Sequence, residues 1–350
     1  MKILIRATNW VGDAIMALPA LRAVRSKFPD AHIAIVARPY VADIYRGQQV
    51  SDQLVPYDLK GEHASFSGRA KLAADLRTQK FDVALLLQNA FDAAWLAWRA
   101  GIPERIGYAR DARSLLLTKS IAVPKPGEIP AHEQFYYLEL LRRAGWLDKI
   151  AGESDIALTV EQQAKQSAEE RLLAAGSNPS KLRIAIGAGA SYGSAKCWPP
   201  FRFAEVANRL IAESNAEIIL FGTPAEAEVS SAIKSAMRTA PIDLTGQTTI
   251  ADLPALLSRC HLFIGNDSGA MHVASALGVP TVAVFGATND TTTGPTGPLA
   301  RVVREHAECS PCLLRECPID HRCMTRVEAA RVTEAASLLL KNQWTPEPRS

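Results

Sequence analysis

The chain has 350 residues, 48% hydrophobic and 21% charged, which is apolar material for about two ordinary globular cores. Its 39 basic and 36 acidic residues leave a formal net charge of +3, too even a balance to point to nucleic acid. No stretch has the roughly 18 uninterrupted apolar residues of a membrane span, and Asn9, Asp13 and Arg22 interrupt an N-terminal run that otherwise looks like a signal peptide.

Short apolar runs alternate with amphipathic stretches along the chain, the pattern of βαβ units and parallel sheets. Lys2 to Ala7 reads as a strand, and Asp13 to Phe28 has helical periodicity through Ile15, Leu18, Leu21 and Val24. Further strands fit Ala31 to Ala37, Phe81 to Leu87 and Arg105 to Tyr108. A loop-rich, basic stretch from Asp111 to Pro130 precedes helices at Gln134 to Ala144 and Glu161 to Ala175. The run Gly176-Ser177-Asn178-Pro179-Ser180 is dense in turn residues and breaks the pattern.

After the break the pattern restarts. Lys181 to Ile186, followed by Gly187 and Gly189, echoes Met1 to Arg6 followed by Gly12: a charged lead-in, an apolar strand, then a small-residue loop. Glu217 to Phe221, His261 to Gly265 and Thr281 to Gly286 read as strands, and Val327 to Lys341 as an amphipathic helix before a frayed end at Pro346 and Pro348. The expectation is two doubly wound parallel-sheet domains facing a cleft, residues 1–176 and 177–326, with a tail at 327–350 that packs back on the first.

Ligands of open parallel sheets sit beyond the carboxyl ends of the strands, so residues just after the strands carry the chemistry. Asn266-Asp267-Ser268-Gly269-Ala270 joins a strand to the helix that contains His272. Free backbone N–H groups and the helix dipole meet there, which suits a diphosphate. Gly269 lets an anion approach the backbone, while Ser268 and His272 can donate to it. The other reading of Asp267 or Ser268 is a helix cap. The loop from Gly187 to Pro199 delivers Lys196, a point-charge partner for phosphate oxygens, and Glu226 follows the next strand as an acceptor for ribose hydroxyls. Asp13, between the first strand and helix, is a candidate base for a hydroxyl nucleophile, with capping again the alternative. Neither a dinucleotide glycine fingerprint nor a Walker lysine loop occurs in the required strand context.

Three segments together resemble glycosyltransferase family 9, the ADP-heptose:lipopolysaccharide heptosyltransferases. They are Asn9-Trp10-Val11-Gly12-Asp13 with Leu18-Pro19-Ala20-Leu21, Lys196-Cys197-Trp198-Pro199, and Gly265-Asn266-Asp267-Ser268-Gly269-Ala270-Met271-His272. The resemblance runs over nearly the whole chain. It implies a GT-B architecture of two Rossmann-like domains and inverting, metal-independent transfer of L-glycero-D-manno-heptose, with no cofactor beyond ADP-heptose as donor. It further implies Asp13 as base, Lys196 on the phosphates, Asp267, Ser268, Gly269, Ala270 and His272 at the donor, and Glu226 near the ribose. The acceptor would be the anionic inner core of lipopolysaccharide, reached from the cytoplasm at the inner membrane surface. A different sugar or acceptor, and a non-catalytic nucleotide-sugar binder, are the competing readings.

Cys309, Cys312, Cys317 and Cys323, with Arg315, resemble the heptosyltransferase II branch, which adds the second heptose, more than heptosyltransferase I. The same cysteines could hold zinc or form a reduced structural loop, and their clustering favours a reducing compartment. Lys60, Arg69, Arg105, Arg110 and Arg113 are candidates for meeting an anionic acceptor, and Trp95 and Trp98 are expected in the core.

Overall fold

The computed structural model describes residues 1–150 and 156–341; Pro346 and Pro348 lie outside the described residues. The chain divides into two units, Met1–Ile156 and Ala157–Ser350.

The first unit carries β1 (Lys2–Arg6), β2 (His32–Ala37), β3 (Gln53–Pro56), β4 (Val83–Leu86), β5 (Glu104–Tyr108) and β6 (Lys119–Ile121). They form one parallel sheet in the order β3-β2-β1-β4-β5-β6. The second unit carries β7 (Arg183–Gly187), β8 (Glu217–Leu220), β9 (Ile242–Asp243), β10 (Leu262–Asn266), β11 (Thr281–Phe285) and β12 (Ala300–Arg304). Its sheet runs β12-β11-β10-β7-β8-β9, again parallel. Each unit therefore builds outward from its first strand to one edge, then crosses back to the other. The crossover puts a topological switch point between β1 and β4 and another between β7 and β10. This confirms the two Rossmann-like sheets expected from the sequence.

The central strands are buried along almost their whole length because helices cover both faces, which is why they read as unbroken apolar runs. At the second switch point two glycines face each other across the ladder, Gly265 beside Gly187. A Cβ on Gly187 would come within 2.8 Å of the Phe263 ring, so the aromatic side chain occupies the room that the missing side chains leave.

Three expectations change. The first helix begins at Val11 and is broken into Val11–Met16 and Leu18–Lys27, since Pro19 in the opening turn of the second piece cannot continue the first. The unit boundary lies about twenty residues before the Gly176 break, because the helix Gln162–Ala174 belongs to the second unit. There Leu172 is buried, and Glu169 accepts from Arg183 Nη1 and Nη2 at 2.7 and 2.6 Å and from Arg259 Nε at 2.7 Å. The helix Ala329–Lys341, expected in the tail that packs back on the first unit, sets Val332, Ala336 and Leu339 into the core cluster of the second.

Arg183 is 3% exposed, and the hydrogen bonds it gives Glu169 hold that carboxyl down at about 2. A carboxylate pKa depressed in the fold adds stability that is present above its ordinary value of 4.5 and lost as pH falls toward 2. Glu169→Gln is expected to cost about 2 kcal/mol at neutral pH by urea unfolding, and the deficit should shrink across that acid window.

Candidate functional site

In the second unit the loops after β7, β10 and β11 meet at the switch point. Lys196 Nζ donates to Asp267 Oδ2 at 2.5 Å, and Thr288 Oγ1 donates to the same oxygen at 2.6 Å. Asp267 and Thr288 are buried, and the ammonium also lies 4.8 Å from the centre of the Tyr192 ring. An ammonium has three N–H donors, so the pair with Asp267 aims Lys196 and leaves it donors for an anion. Asn266 is fully buried and ties the loop to the strand: its Oδ1 accepts from Trp198 N at 3.0 Å, and its Nδ2 donates to Ala188 O at 2.6 Å. Trp198, also fully buried, donates from its indole to Val327 O at 2.9 Å.

Ser268 is the N-cap of the helix Gly269–Ala276 and accepts from Met271 N. Capping leaves donors over, since Gly269 and Ala270 begin the helix with N–H groups that have no carbonyl of that helix behind them. His272, one turn in, is buried. Glu226 closes a capping box with Thr223, accepting from its backbone N–H at 2.7 Å. Its carboxylate also lies against Gly189, where any Cβ would overlap it. Asn266, Thr288 and Tyr192 were not singled out from sequence. The rule that chemistry follows strand ends would have flagged Thr288, three residues after β11.

In the first unit Asp13 follows β1 and sits in the first turn of the helix Val11–Met16. It is not the N-cap; Trp10, 45% exposed, takes that place. The proposed acceptor residues divide. Lys60 and Arg110 are exposed, and Arg69 donates to Asp92 at 3.4 Å. Arg105 and Arg113 are structural instead. Arg105 donates to Leu116 O at 2.6 Å and to Ile102 O at 2.5 Å, and Arg113 is fully buried on Tyr108 O, Gln88 O and Asn89 Oδ1. Burial pulls the Arg113 guanidinium down to about 10. Trp95 is partly buried against Phe66, but Trp98 is 49% exposed and not a core residue. A second buried cation, Arg6, lies 4.9 Å from the Tyr57 ring centre and donates to Asn9 Oδ1 at 2.9 Å. Tyr57 donates in turn to Asp92 at 2.6 Å, a polar floor at the ends of β1 and β3 that the sequence did not reveal.

Cys309, Cys312, Cys317 and Cys323 line one cavity of about 60 Å³ with His321, and all are free thiols. Among the described residues no group of three or more His, Cys, Asp or Glu side chains is placed to hold a metal ion. The loop does brace the segment that carries Lys196. Ala195 N donates to Arg315 O at 2.9 Å, Tyr192 Oη to Leu313 O at 2.8 Å, and Leu313 N to Ala287 O at 2.8 Å.

These loops converge beyond the strand ends, where open parallel sheets bind ligands, and similarity to known proteins gives the family. Residues 69–322 match glycosyltransferase family 9 (heptosyltransferase), and the chain belongs to that family. It is 30% identical to lipopolysaccharide heptosyltransferase 2 of Salmonella typhimurium over 87% of this chain and 88% of that protein. The structure of the Escherichia coli ADP-heptose LPS heptosyltransferase II superposes with a TM-score of 0.82 at 28% identity, covering 98% of this chain and 99% of that one. A family 9 glycosyl transferase from Veillonella parvula superposes with a TM-score of 0.86 at 25% identity, covering 98% of each chain.

Replacing Asn266 by Ala strands two buried backbone groups at once. The expected cost is about 2–3 kcal/mol in thermal or urea unfolding, with weaker ADP binding by calorimetry as the Lys196 loop loosens.

Proposed function

We propose that this chain transfers L-glycero-D-manno-heptose from ADP-heptose to the heptose of an anionic lipopolysaccharide inner core, with inversion and without a metal. The observation that carries the reading is the convergence of Lys196, Asp267 and Thr288 beside the N-terminus of the helix Gly269–Ala276 in a family 9 chain. Diphosphate charge is met by the Lys196 ammonium and the helix N–H groups, which stabilise the leaving ADP as the glycosidic bond breaks. Asp267 works through Lys196, holding the ammonium in place. Glu226 and His272 are assigned to the donor as well, Glu226 to the ribose. Asp13 takes the proton of the acceptor hydroxyl as that oxygen attacks the anomeric carbon.

The relatives named heptosyltransferase 2 favour an acceptor that already carries one heptose. Lys60, Arg69 and Arg110 are the cations proposed to meet its anionic groups. The reading also carries a cytoplasmic location beside the inner membrane surface. Among the described residues no helix is long and apolar enough to cross a membrane.

Purified protein, ADP-heptose and acceptors bearing zero or one heptose should give ADP release and heptose transfer only with the second. Asp13→Asn is expected to lower kcat by about 10²–10⁴ with little change in ADP affinity. Lys196→Met should weaken ADP binding at least tenfold by calorimetry. Near-normal transfer by Asp13→Asn would remove the base assignment, and unchanged ADP binding by Lys196→Met would remove the cradle.

A further inference from the structure

Two guanidinium groups meet at the carboxyl ends of the paired strands β1 and β2, where Arg6 lies opposite Val36. Arg6, the last residue of β1, is buried; its Nη1 donates to Ala7 O at 2.5 Å and its Nη2 to Asn9 Oδ1 at 2.9 Å. Arg38, the first residue after β2, is partly exposed and donates from Nε to the same Asn9 oxygen at 3.4 Å. Among the described residues neither guanidinium forms an ion pair with Asp or Glu. The Asp92 carboxylate stands behind the Tyr57 ring that Arg6 faces, bonded to the Tyr57 hydroxyl. Asn9 and Asp13 belong to one short segment, since Asp13 falls in the first turn of the helix that follows Trp10.

An amide oxygen carries only a partial charge and cannot neutralise two cations that share it. Burial pulls the Arg6 guanidinium down to about 10, and the charge of Arg38 acts in the same direction. Arg6 therefore stays cationic at neutral pH, but its donors are committed to the fold and its Nε is buried without a hydrogen-bond partner. Arg38 differs. Its carbonyl accepts from Val41 N and Ala42 N at 2.9 and 2.8 Å, which fixes its backbone at the start of the helix Pro39–Tyr45. With Nε held on Asn9, its two terminal nitrogens have no partner among the described residues. That is a restrained fork of N–H donors, ready for an oxyanion. Exposed aromatic residues adjoin it: Tyr40 donates its hydroxyl to Asn9 O at 2.7 Å, and Trp10 follows Asn9 in the chain.

We propose that Arg38, held on Asn9 and backed by buried Arg6, is an anion subsite that takes a carboxylate or phosphate group of the sugar acceptor. The proposal rests on the transferase reading above and gives its acceptor a specific anchor beside the segment that carries Asp13. A carboxylate and a phosphate share the feature that matters here, two oxygens that a guanidinium fork can meet at once. Other cations of the first unit are already offset. Arg69 spends Nη1 on Asp92 at 3.4 Å, and Arg110 has Asp111 at 3.7 Å. The donor diphosphate is assigned to Lys196 in the second unit, so the anion that Arg38 awaits belongs to the acceptor.

Initial rates against acceptor and against ADP-heptose are compared for wild type, Arg38→Gln and Arg38→Lys at low and high salt. Gln keeps an N–H for Asn9 without the charge, whereas Lys keeps the charge without the fork. Arg38→Gln should raise the acceptor KM about tenfold or more. Its kcat and its KM for ADP-heptose should stay within about twofold of wild type, with Tm unchanged. Arg38→Lys should recover part of the loss, and the wild-type acceptor KM should climb with salt more steeply than that of Arg38→Gln. Acceptor treated with phosphatase separates the two sources. A penalty that vanishes with the phosphate identifies phosphate, and one that persists identifies a carboxylate. An unchanged acceptor KM in Arg38→Gln, with wild type active, overturns the proposal and leaves the transferase reading intact. An equal rise in both KM values, or a lowered Tm that Arg38→Lys does not restore, gives Arg38 a structural role and also overturns it. A wild type that transfers to no acceptor overturns both.

Discussion

The ion pair between Lys196 and Asp267 organises the second unit's site. A carboxylate buried at the end of β10 is costly unless matched, and here one oxygen takes both an ammonium and the Thr288 hydroxyl. Satisfying that oxygen draws three strand-end loops to one point. Because the pair is hydrogen-bonded and largely shielded from water, the ammonium is pre-aimed before any anion arrives. The same residues that cap the helix also form the wall of the proposed phosphate cradle.

Support comes from beneath and beside. Asn266 bonds the Trp198 and Ala188 backbone, and Trp198 anchors to Val327, so the loop bearing Lys196 is fastened to the sheet and to the chain leading into the C-terminal helix. The cysteine-bearing segment adds a cover through Arg315, Leu313 and His321, whose Nε2 lies 2.8 Å from Ala195 O.

Much of this was legible in the sequence. Central strands such as β1, β7, β10 and β11 are covered on both faces, so their apolar runs announce them, and the glycine-rich loops after them mark the switch points. The edge strands β3, β6 and β9 were not read, because they are two to four residues long and only partly buried. The β12 strand, Ala-Arg-Val-Val-Arg, alternates with charged residues at an edge and also escaped. Charge is harder still. Arg105 and Arg113 look like surface cations in sequence, yet they stitch backbone carbonyls inside the first unit, and only tertiary context distinguishes the two fates. Asp13 and Lys196 were singled out because ligands of open parallel sheets sit beyond strand ends.

Following a single incubation of purified chain, ADP-heptose and a one-heptose acceptor by NMR tests the account most directly. It predicts one ADP formed for each new glycosidic bond, with the anomeric configuration opposite to that of the donor. ADP release accompanied by free heptose, or a product that retains the donor's configuration, would contradict it.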